Sequence, residues 1–472
     1  MKTKKKNNNN ISMKFYLGLI SALFFSAIIF SNLPDASAKT LASLIKSKNS
    51  NSFSTPQSLT LISKSGIETL KHWFLSQTTD VVTETQIGQW FGPWAIATDN
   101  NAIYLGLASN LPAGDAVATV TKIDVDQPLG QKLPLGTVAI VDNSGIIPAY
   151  QDYLDDNGIH ALDWTDETKS RLIVPGTDPG FTDGWNGGNI YWLDKNTDAN
   201  HLLKVRCSTG PNTGDCEADT EVFPNIVHFF GSTQIGNRYY LGGSTPSGNT
   251  AKPEIWGSTN AGKSWERLYT FPNTTYIRSK QLFALKDPQN TDKYQLYSIT
   301  QYNNPDSQLA NKIFYSNERS ATLGTQWSGL NIDPLAAPHT NIAPVTINEE
   351  TGYYVDYRGS NVVKLMNDNT MAFIPFTGFT VGYKYHQGPE ANYYKYNGLT
   401  TDNKYLYTIG DNNGVYRYAL SQTPGSGTWE LIYTFPESPT EKPYLIHYWT
   451  EKHGIIIGTL GVDANLYFMN VE

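Results

Sequence analysis

The pattern of hydrophobic and polar positions changes near residue 85 of the chain. From there on, aromatic and β-branched runs of about four to seven residues alternate with turns rich in Gly, Asn, Asp and Pro. The pattern contains no long amphipathic helix. Short strands separated by regular turns predict an all-β domain.

One signature recurs along this domain, a polar turn followed by an apolar–Tyr–apolar strand. It occurs at 98–106 and 401–410, with relatives centred on Tyr191, Tyr240, Tyr297, Tyr354 and Ile456 and a weak one near Ile147. The spacing of roughly 43 to 57 residues is the period of a four-stranded propeller blade. Seven clear units and one weak unit predict a β-propeller of seven or eight four-stranded blades. A two-domain β-sandwich is the alternative, and the single period argues against it.

The two ends of the chain bear on how such a ring would close. The last unit stops soon after its second strand, so its outer strand could come from the chain start, near residues 81–86. Residues 39–80 are rich in Ser, Thr, Lys and Asn and predict a flexible lead-in with a short helix at 67–75. We therefore place the propeller domain at 81–472.

Residues 1–38 have the order of a secretory signal peptide. A lysine-rich start precedes an apolar run at 15–30, and Ala36-Ser37-Ala38 follows it. The apolar run is shorter than the roughly 20 residues that span a bilayer, which favours cleavage over an uncleaved anchor. We expect a secreted, periplasmic or extracellular protein with no membrane span after signal removal.

Charge and cysteine content narrow the functional classes. The formal net charge of −8 becomes more negative once the lysine-rich start is removed, which argues against nucleic acid or anionic lipid as a partner.

Cys207 and Cys216 are the two cysteines, and the Gly-, Pro- and Asn-containing loop between them favours a disulfide over a metal site. We expect a monomer.

A turn-plus-strand unit appears twice, at 265–272 and 429–436. The first copy follows a turn that resembles the Asp box, or BNR repeat, of propeller proteins; the matching positions are Ser258, Asn260, Gly262, Ser264 and Trp265. Asn stands here for the Asp of that motif, and Ser for its Thr. The resemblance implies a fold like that of the sialidase superfamily and leaves the activity open. The Arg-Ile-Pro segment of active sialidases does not occur, so sialidase activity is not expected.

Several predicted innermost strands begin with a histidine or a basic residue; the candidates are His228, Arg278, His339, His386 and His447. In a propeller such starts surround one mouth of the channel. Imidazoles with an arginine could hold a divalent metal or an anionic sugar and could act as a general base. The alternative is that each histidine caps a strand or satisfies a buried carbonyl on its own.

Two further sets could bind ligands. Trp94, Trp185 and Trp192 fall near turns and could stack on sugars, although aromatic side chains also build blade cores. Asp194, Asn196 and Asp198 place oxygen atoms at alternate positions, as calcium loops do, but without the Gly and Glu of an EF-hand. An ordinary Asx-rich turn is the favoured interpretation of that segment.

No motif of a common hydrolase or dehydrogenase is present. The sequence therefore predicts an exported propeller that binds carbohydrate or a surface protein at the channel mouth. A metal- or histidine-assisted polysaccharide lyase or glycosidase is the second interpretation, and a structural envelope protein is the third. A cofactor is not certain; a divalent metal, calcium or a transition metal, could be bound.

Overall fold

The computed structural model describes residues 63–64, 67–69, 73–74, 92–110, 116–124, 132–134, 138–142, 145–149, 156–159, 161–165, 168–179, 190–196, 198–205, 228–244, 252–259, 262, 265–272, 276–302, 311–317, 326–332, 336, 338, 342–356, 358–381, 398–437, 442–460 and 465–471. These residues all belong to one compact unit, residues 58–472. None of them lies in a helix with the length and apolar character that a membrane span requires.

The described part of the chain is built from short strands. The N-terminal strands are β1 (Ser63–Lys64), β2 (Ile67–Thr69) and β3 (Trp73–Phe74). Sheet I follows, with β4 (Gly92–Thr98), β5 (Ala102–Asn110), β6 (Ala116–Asp124) and β7 (Lys132–Pro134). Sheet II begins with β8 (Val138–Asp142), β9 (Gly145–Ala149), β10 (Asp156–Ile159), β11 (Asp163–Trp164), β12 (Arg171–Pro179), β13 (Ile190–Asp194) and β14 (Asp198–Val205). It continues with β15 (His228–Ile235), β16 (Arg238–Ser244), β17 (Pro253–Ser258) and β18 (Glu266–Thr270).

The remaining sheets follow in chain order. Sheet III holds β19 (Tyr276–Asp287), β20 (Asn290–Tyr302), β21 (Asn311–Asn317) and β22 (Ser328–Gly329). Sheet IV holds β23 (Val345–Ile347), β24 (Thr351–Val355), β25 (Asn361–Met366) and β26 (Met371–Pro375). Sheet V holds β27 (Leu399–Thr401), β28 (Tyr405–Ile409), β29 (Gly414–Ala419) and β30 (Glu430–Thr434). Sheet VI holds β31 (Lys442–Trp449), β32 (Gly454–Leu460) and β33 (Asn465–Asn470), with a 3₁₀ turn at Thr450–Lys452.

The protein is an all-β propeller with four-stranded blades, and the described strands form six sheets. The predicted count of seven or eight blades is therefore wrong. Sheet II accounts for the gap between the predicted number of blades and the six sheets. Its 11 strands contain two antiparallel runs, one around β12 to β14 and one from β15 to β18. A single pairing, Thr177 with His228, joins the two runs. The weak unit near Ile147 forms no blade, since β8 and β9 extend β14 as a hairpin.

Hydrophobic clusters between the sheets close the ring. Ile103 of sheet I shares one cluster with Trp449 of sheet VI, and the same cluster extends through sheets V and IV. Other clusters join sheet I to sheet II, sheet II to sheet III and sheet III to sheet IV. A single blade cannot bury both of its faces, so these contacts supply the core.

The recurring tyrosines form that core. Tyr104, Tyr191, Tyr240, Tyr297, Tyr354 and Tyr407 are among the largest fully buried side chains. The polar turn of the signature also forms hydrogen bonds with the strand that follows it. The Asp99 carboxylate accepts hydrogen bonds from the Ala102 N–H and the Tyr104 hydroxyl. Asp402 repeats this arrangement with the Tyr405 N–H and the Tyr407 hydroxyl, so the polar turn and the buried ring stabilise each other.

The N-terminal strands complete sheet VI. β2 pairs with β33 through Glu68 and Asn470, and β3 pairs with the same strand through Trp73 and Leu466. An outer strand from the chain start was expected, but it comes from 67–69 and 73–74, and residues 81–86 lie outside the described part. The helix expected at 67–75 is wrong, because the pairing with β33 selects strands there. Part of the predicted lead-in thus belongs to the propeller.

Candidate functional site

The innermost strand of each blade starts at the same mouth of the channel, and several of these strands are bulged. Register shifts occur between Phe229 and Ser232 in β15 and between Ser279 and Gln281 in β19. Similar shifts occur between 93 and 95 in β4 and between 443 and 445 in β31. A bulge inserts an extra residue and re-aims side chains, which is why bulges often lie beside functional sites.

Two cationic side chains converge on one aromatic ring at the bulges of β15 and β19. The Lys280 ammonium lies 4.0 Å from the centroid of the Phe230 ring, and the Arg278 guanidinium carbon lies 5.9 Å from it. Phe230 is 2 % exposed and Lys280 is 7 % exposed. The ring quadrupole attracts both cations, and this attraction strengthens where water is excluded. Two cationic side chains therefore lie against one buried ring.

Glycines allow the two inner strands to come this close. A Cβ at Gly242 of β16 would lie 2.5 Å from the Ser279 hydroxyl oxygen. A Cβ at Gly231 of β15 would lie 2.9 Å from the Cα of Gln281. Both distances are too short for a larger residue, so sheets II and III need glycine at these positions.

Two buried side-chain oxygen atoms lie on β16 and β20, the strands that pair with β15 and β19. The Ser244 hydroxyl oxygen and the Gln301 side-chain carbonyl oxygen have no hydrogen-bond partner among the described residues. Ser244 is two residues beyond Gly242, and thus on the face of β16 that meets β19. Gln301 pairs with Arg278 across β20 and β19, but it lies on the same face of β20 as Tyr297 and Ile299, which pack toward sheet IV. We call Phe230, Ser244, Arg278 and Lys280 the mouth cluster.

The mouth cluster combines two kinds of cationic donor. Arg278 has a planar guanidinium, and Lys280 has a compact ammonium. The Ser244 hydroxyl can donate or accept a hydrogen bond. A buried polar atom without a partner costs roughly 1 to 3 kcal/mol, so a group that satisfied the Ser244 oxygen would recover that free energy.

A second polar cluster lies at the opposite ends of the inner strands. His447 is the sixth residue of β31, so the expectation that it begins an inner strand is wrong. Its Nε2 lies 3.1 Å from the Thr98 hydroxyl oxygen. Burial, with the neighbouring Lys169 charge, lowers the pKa of His447 to about 4. The ring is therefore neutral near pH 7 and acts as a structural hydrogen-bonding group.

Lys169 links this second cluster together. Its ammonium donates to the Thr98 carbonyl at 2.9 Å and to a Glu451 carboxylate oxygen at 2.5 Å. The Trp164 indole also donates to the Thr98 carbonyl, at 2.8 Å. We call Thr98, Asp99, Trp164, Lys169, Lys195, His447, Trp449 and Glu451 the seam cluster, because it connects sheets VI, I and II.

One carboxyl in the channel wall is poised to titrate near neutrality. Asp163 of β11 accepts a hydrogen bond from the Ser232 hydroxyl of β15. Burial raises the pKa of Asp163 to about 6, against the opposing effect of that bond. Perturbed carboxyls of this kind occur at functional sites and at structural contacts alike.

The predicted histidine site is not assembled within the described residues. His228 starts β15 and pairs with Ser244, which places it at the mouth, while His447 belongs to the opposite end. His339 and His386 lie outside the described residues. No group of three or more His, Cys, Asp or Glu residues in the described part of the chain could hold a metal ion.

The predicted calcium loop is an Asx turn in the structure. Asp194 forms an ion pair with Arg171 at 2.7 Å and accepts the Asn196 N–H. These contacts occupy the carboxylate, so Asp194 serves the turn. Asp198 begins β14, and its side chain lies outside the described part.

The tryptophans proposed to bind sugar differ in position. Trp192 is 6 % exposed, and the Arg171 guanidinium carbon lies 4.1 Å from its ring centroid, so its predicted exposure is wrong. Trp94 is the extra residue of the β4 bulge at the mouth, although its side chain is not described. Trp185 lies outside the described residues.

The turn that resembles the Asp box behaves as its residue types suggest. The Ser258 hydroxyl accepts the Gly262 N–H at 3.0 Å, and the buried Trp265 indole donates to the Gly262 carbonyl at 3.1 Å. Gly262 has a φ of 79°, which glycine adopts without strain. Asn260 and Ser264 lie outside the described residues, as do Cys207 and Cys216.

Sequence reasoning identified Arg278 but missed the rest of the mouth cluster. The Gly-Gly-Ser run at 242–244 was the available indication, because adjacent glycines in a strand mark a close approach. The bulges that bring Phe230 and Lys280 together have no such indication, since register depends on pairing across blades.

Comparison with known proteins adds only distant structural likeness. No protein-family model matches the chain, and no curated protein matches it. The Asp-box and sialidase resemblance is thus without support from a family model.

Among solved structures, virginiamycin B lyase from Staphylococcus aureus has a TM-score of 0.46 at 13% identity, over 85% of this chain and 99% of that one. The polysaccharide lyase Uly1 has a TM-score of 0.40 at 12% identity, over 80% and 89%. The Swd1 β-propeller domain from Myceliophteria thermophila has a TM-score of 0.44 at 8% identity, over 85% and 100%. Such low scores carry no argument about activity, and the propeller assignment rests on the sheets described above.

Proposed function

We propose that this protein is an exported propeller that binds an anionic ligand at the channel mouth through the mouth cluster. One observation carries the proposal: Arg278 and Lys280 converge on Phe230 where sheet II packs on sheet III, and the buried Ser244 hydroxyl on the facing strand β16 has no hydrogen-bond partner among the described residues. Charged groups that converge on one buried ring can recognise an anionic ligand through charge-assisted hydrogen bonds. The ligand would be an acidic carbohydrate or an acidic group of a surface protein.

Charge complementarity supports an anion in particular. The chain is acidic overall, with a formal net charge of −8, so clustered cations at one mouth would create a local field against that background. Buried lysine is costly unless anionic or aromatic groups compensate it, and Phe230 supplies part of this compensation to Lys280.

The experiment compares dextrans that carry carboxymethyl, sulfate or no substituents, with binding to the mature protein measured by calorimetry. We expect binding of an anionic dextran that weakens about tenfold or more in Arg278→Gln and Lys280→Gln, in line with the strength of charge-assisted hydrogen bonds. The control is Arg358→Gln, which removes an exposed arginine and should leave the affinity unchanged. Equal binding of charged and uncharged dextrans, or equal loss in all three variants, would contradict the proposal.

A lyase acting in the channel is the second candidate, and Asp163 is the observation that favours it. A carboxyl with a pKa of about 6 can accept a proton near neutral pH. Incubation of uronate-containing polysaccharides with the protein should then release unsaturated products, and Asp163→Asn should abolish their formation. Products formed equally by the variant would exclude Asp163 as the base.

A further inference from the structure

The first and the last blade of the ring meet at the junction between sheets I and VI. The chain crosses this junction through residues 75–91, and the N-terminal strands before that segment are held in sheet VI by their pairing with β33. No strand of sheet I pairs with a strand of sheet VI among the described residues. Side-chain contacts therefore hold this junction closed.

The polar contacts of the junction lie where β4 and β31 end. The His447 Nε2 lies 3.1 Å from the Thr98 hydroxyl oxygen, and the Trp449 indole donates to the Asp99 carbonyl at 2.8 Å. From sheet II, the Lys169 ammonium donates to the Thr98 carbonyl at 2.9 Å. The His447 ring thus lies inside the junction, at the point where sheets VI, I and II meet.

The charges around His447 are already paired with one another. Lys169 forms an ion pair with Glu451 at 2.5 Å, and Lys195 forms one with Asp99 at 2.9 Å. The two lysines and the two carboxylates of the seam cluster balance, so a protonated imidazole would add a net positive charge. That charge would be largely buried, where like charges repel more strongly than in water.

The other neighbours of β31 bring no compensating negative charge. On the side of sheet V, the Tyr448 N–H donates to the uncharged Thr400 hydroxyl at 3.0 Å. Lys452, on the turn after β31, is exposed and is itself a cation. Burial and the Lys169 charge together lower the pKa of His447 to about 4, against 6.5 for a model group.

We infer that the junction between sheets VI and I is an acid-sensitive joint of the ring, which opens when His447 is protonated while the other sheets stay folded. Opening would bring the ring into water and separate its charge from Lys169, so protons would favour the open form. The joint within sheet II behaves differently, because Asp163 loses its charge when it gains a proton. Acid therefore weakens the contact at His447 and not the one at Asp163.

The test is hydrogen–deuterium exchange of the mature protein at pH 7 and pH 4.5, with exchange times scaled for the pH dependence of the chemical step. Peptides that cover β4 and β31 report on the junction, and peptides that cover β24 and β25 of sheet IV are the internal control. We expect the protection of β4 and β31 to fall at least about tenfold at pH 4.5, with little change in sheet IV.

Variants identify the group that responds to acid. His447→Gln keeps a polar side chain beside Thr98 and cannot titrate, so the fall in protection should disappear. His453→Asn is the matched control, because it removes an exposed histidine and asparagine tolerates the left-handed backbone there, with a φ of 51°. Lys169→Asn, at a φ of 52°, removes the charge beside His447 and should make the acid response smaller.

Each contrary outcome overturns the inference. A fall in protection that extends equally to sheet IV would mean global unfolding. Unchanged protection of β4 and β31 at pH 4.5 in the wild type would show that the junction stays closed, and this result needs no variant. A fall that persists undiminished in folded His447→Gln would show that another group responds to acid.

Discussion

The indole nitrogen of Trp449 donates a hydrogen bond of 2.8 Å to the backbone carbonyl of Asp99. Trp449 ends β31 of sheet VI, and Asp99 follows β4 of sheet I, so this bond crosses the junction at which the ring closes. The Lys195 ammonium then lies 2.9 Å from the Asp99 carboxylate, which extends the connection to sheet II. Closure therefore depends on side chains of the seam cluster as well as on strand pairing.

Trp449→Phe should destabilise the protein by about 1 to 2 kcal/mol, because the Asp99 carbonyl loses a buried hydrogen bond while most of the ring volume remains. The midpoint of urea unfolding measures this. Trp429→Phe is the matched control, since the Trp429 indole nitrogen is buried without a hydrogen-bond partner among the described residues. A similar loss in both variants would mean that ring volume, and not the bond to Asp99, sets the cost.

His447 should make the folded state sensitive to acid. Its pKa is about 4 in the folded protein and 6.5 as a model group, so the unfolded chain binds more protons between these values. Stability is then fully present above pH 6.5 and falls as the pH drops toward 4, by up to about 3 kcal/mol.

His447→Gln can retain a hydrogen bond to Thr98 but cannot titrate. Urea unfolding at several pH values between 4 and 7 should show a shallower loss of stability in this variant than in the wild type. Equal pH dependence would mean that the His447 ring is not held neutral in the folded protein.

Asp163 should have the opposite effect on the pH dependence of stability. Its pKa is raised from 3.8 to about 6, so the folded protein keeps the proton longer than the unfolded chain. The stability from this group is fully present below pH 3.8 and is lost as the pH rises through 6. Asp163→Asn should therefore stabilise the protein at pH 7.5 by about 1 to 3 kcal/mol, with little gain at pH 4. A decrease in melting temperature at pH 7.5 would contradict this.

Substitutions at Gly262 and Gly236 distinguish the cost of backbone strain from the cost of steric contact. Both have positive φ, but a Cβ at Gly262 would lie 3.0 Å from the Ile173 side chain, while a Cβ at Gly236 would meet nothing within 4 Å. Gly236→Ala should cost about 1 kcal/mol, and Gly262→Ala should cost more. Thermal unfolding compares the two, and an equal loss would mean that Ile173 moves aside freely.

The blade repeat could be predicted from the sequence because the contacts that produce it join residues close together in the chain. Asp99 with Tyr104 and Asp402 with Tyr407 form contacts within five residues, so turn and strand appear together in the printed chain. The buried tyrosines follow from the same signature.

The number of sheets and the composition of the site could not be predicted in this way. The pairing of Thr177 with His228 merges two runs into one sheet, and a single long-range pair leaves no periodic trace. Likewise, Phe230 and Lys280 meet only because β15 and β19 are bulged and packed against each other. His447 was assigned to the mouth since its strand was expected to begin later in the sequence than it does.

The strand arrangement of sheet VI has a consequence for biosynthesis. β2 and β3 leave the ribosome before any blade, but their partner β33 follows every other described strand. β2 and β3 can therefore join sheet VI only after every other described strand has been made, and the sheet keeps an open edge until then. Chains interrupted before residue 465 would lack the strand that holds the N-terminal segment in the ring.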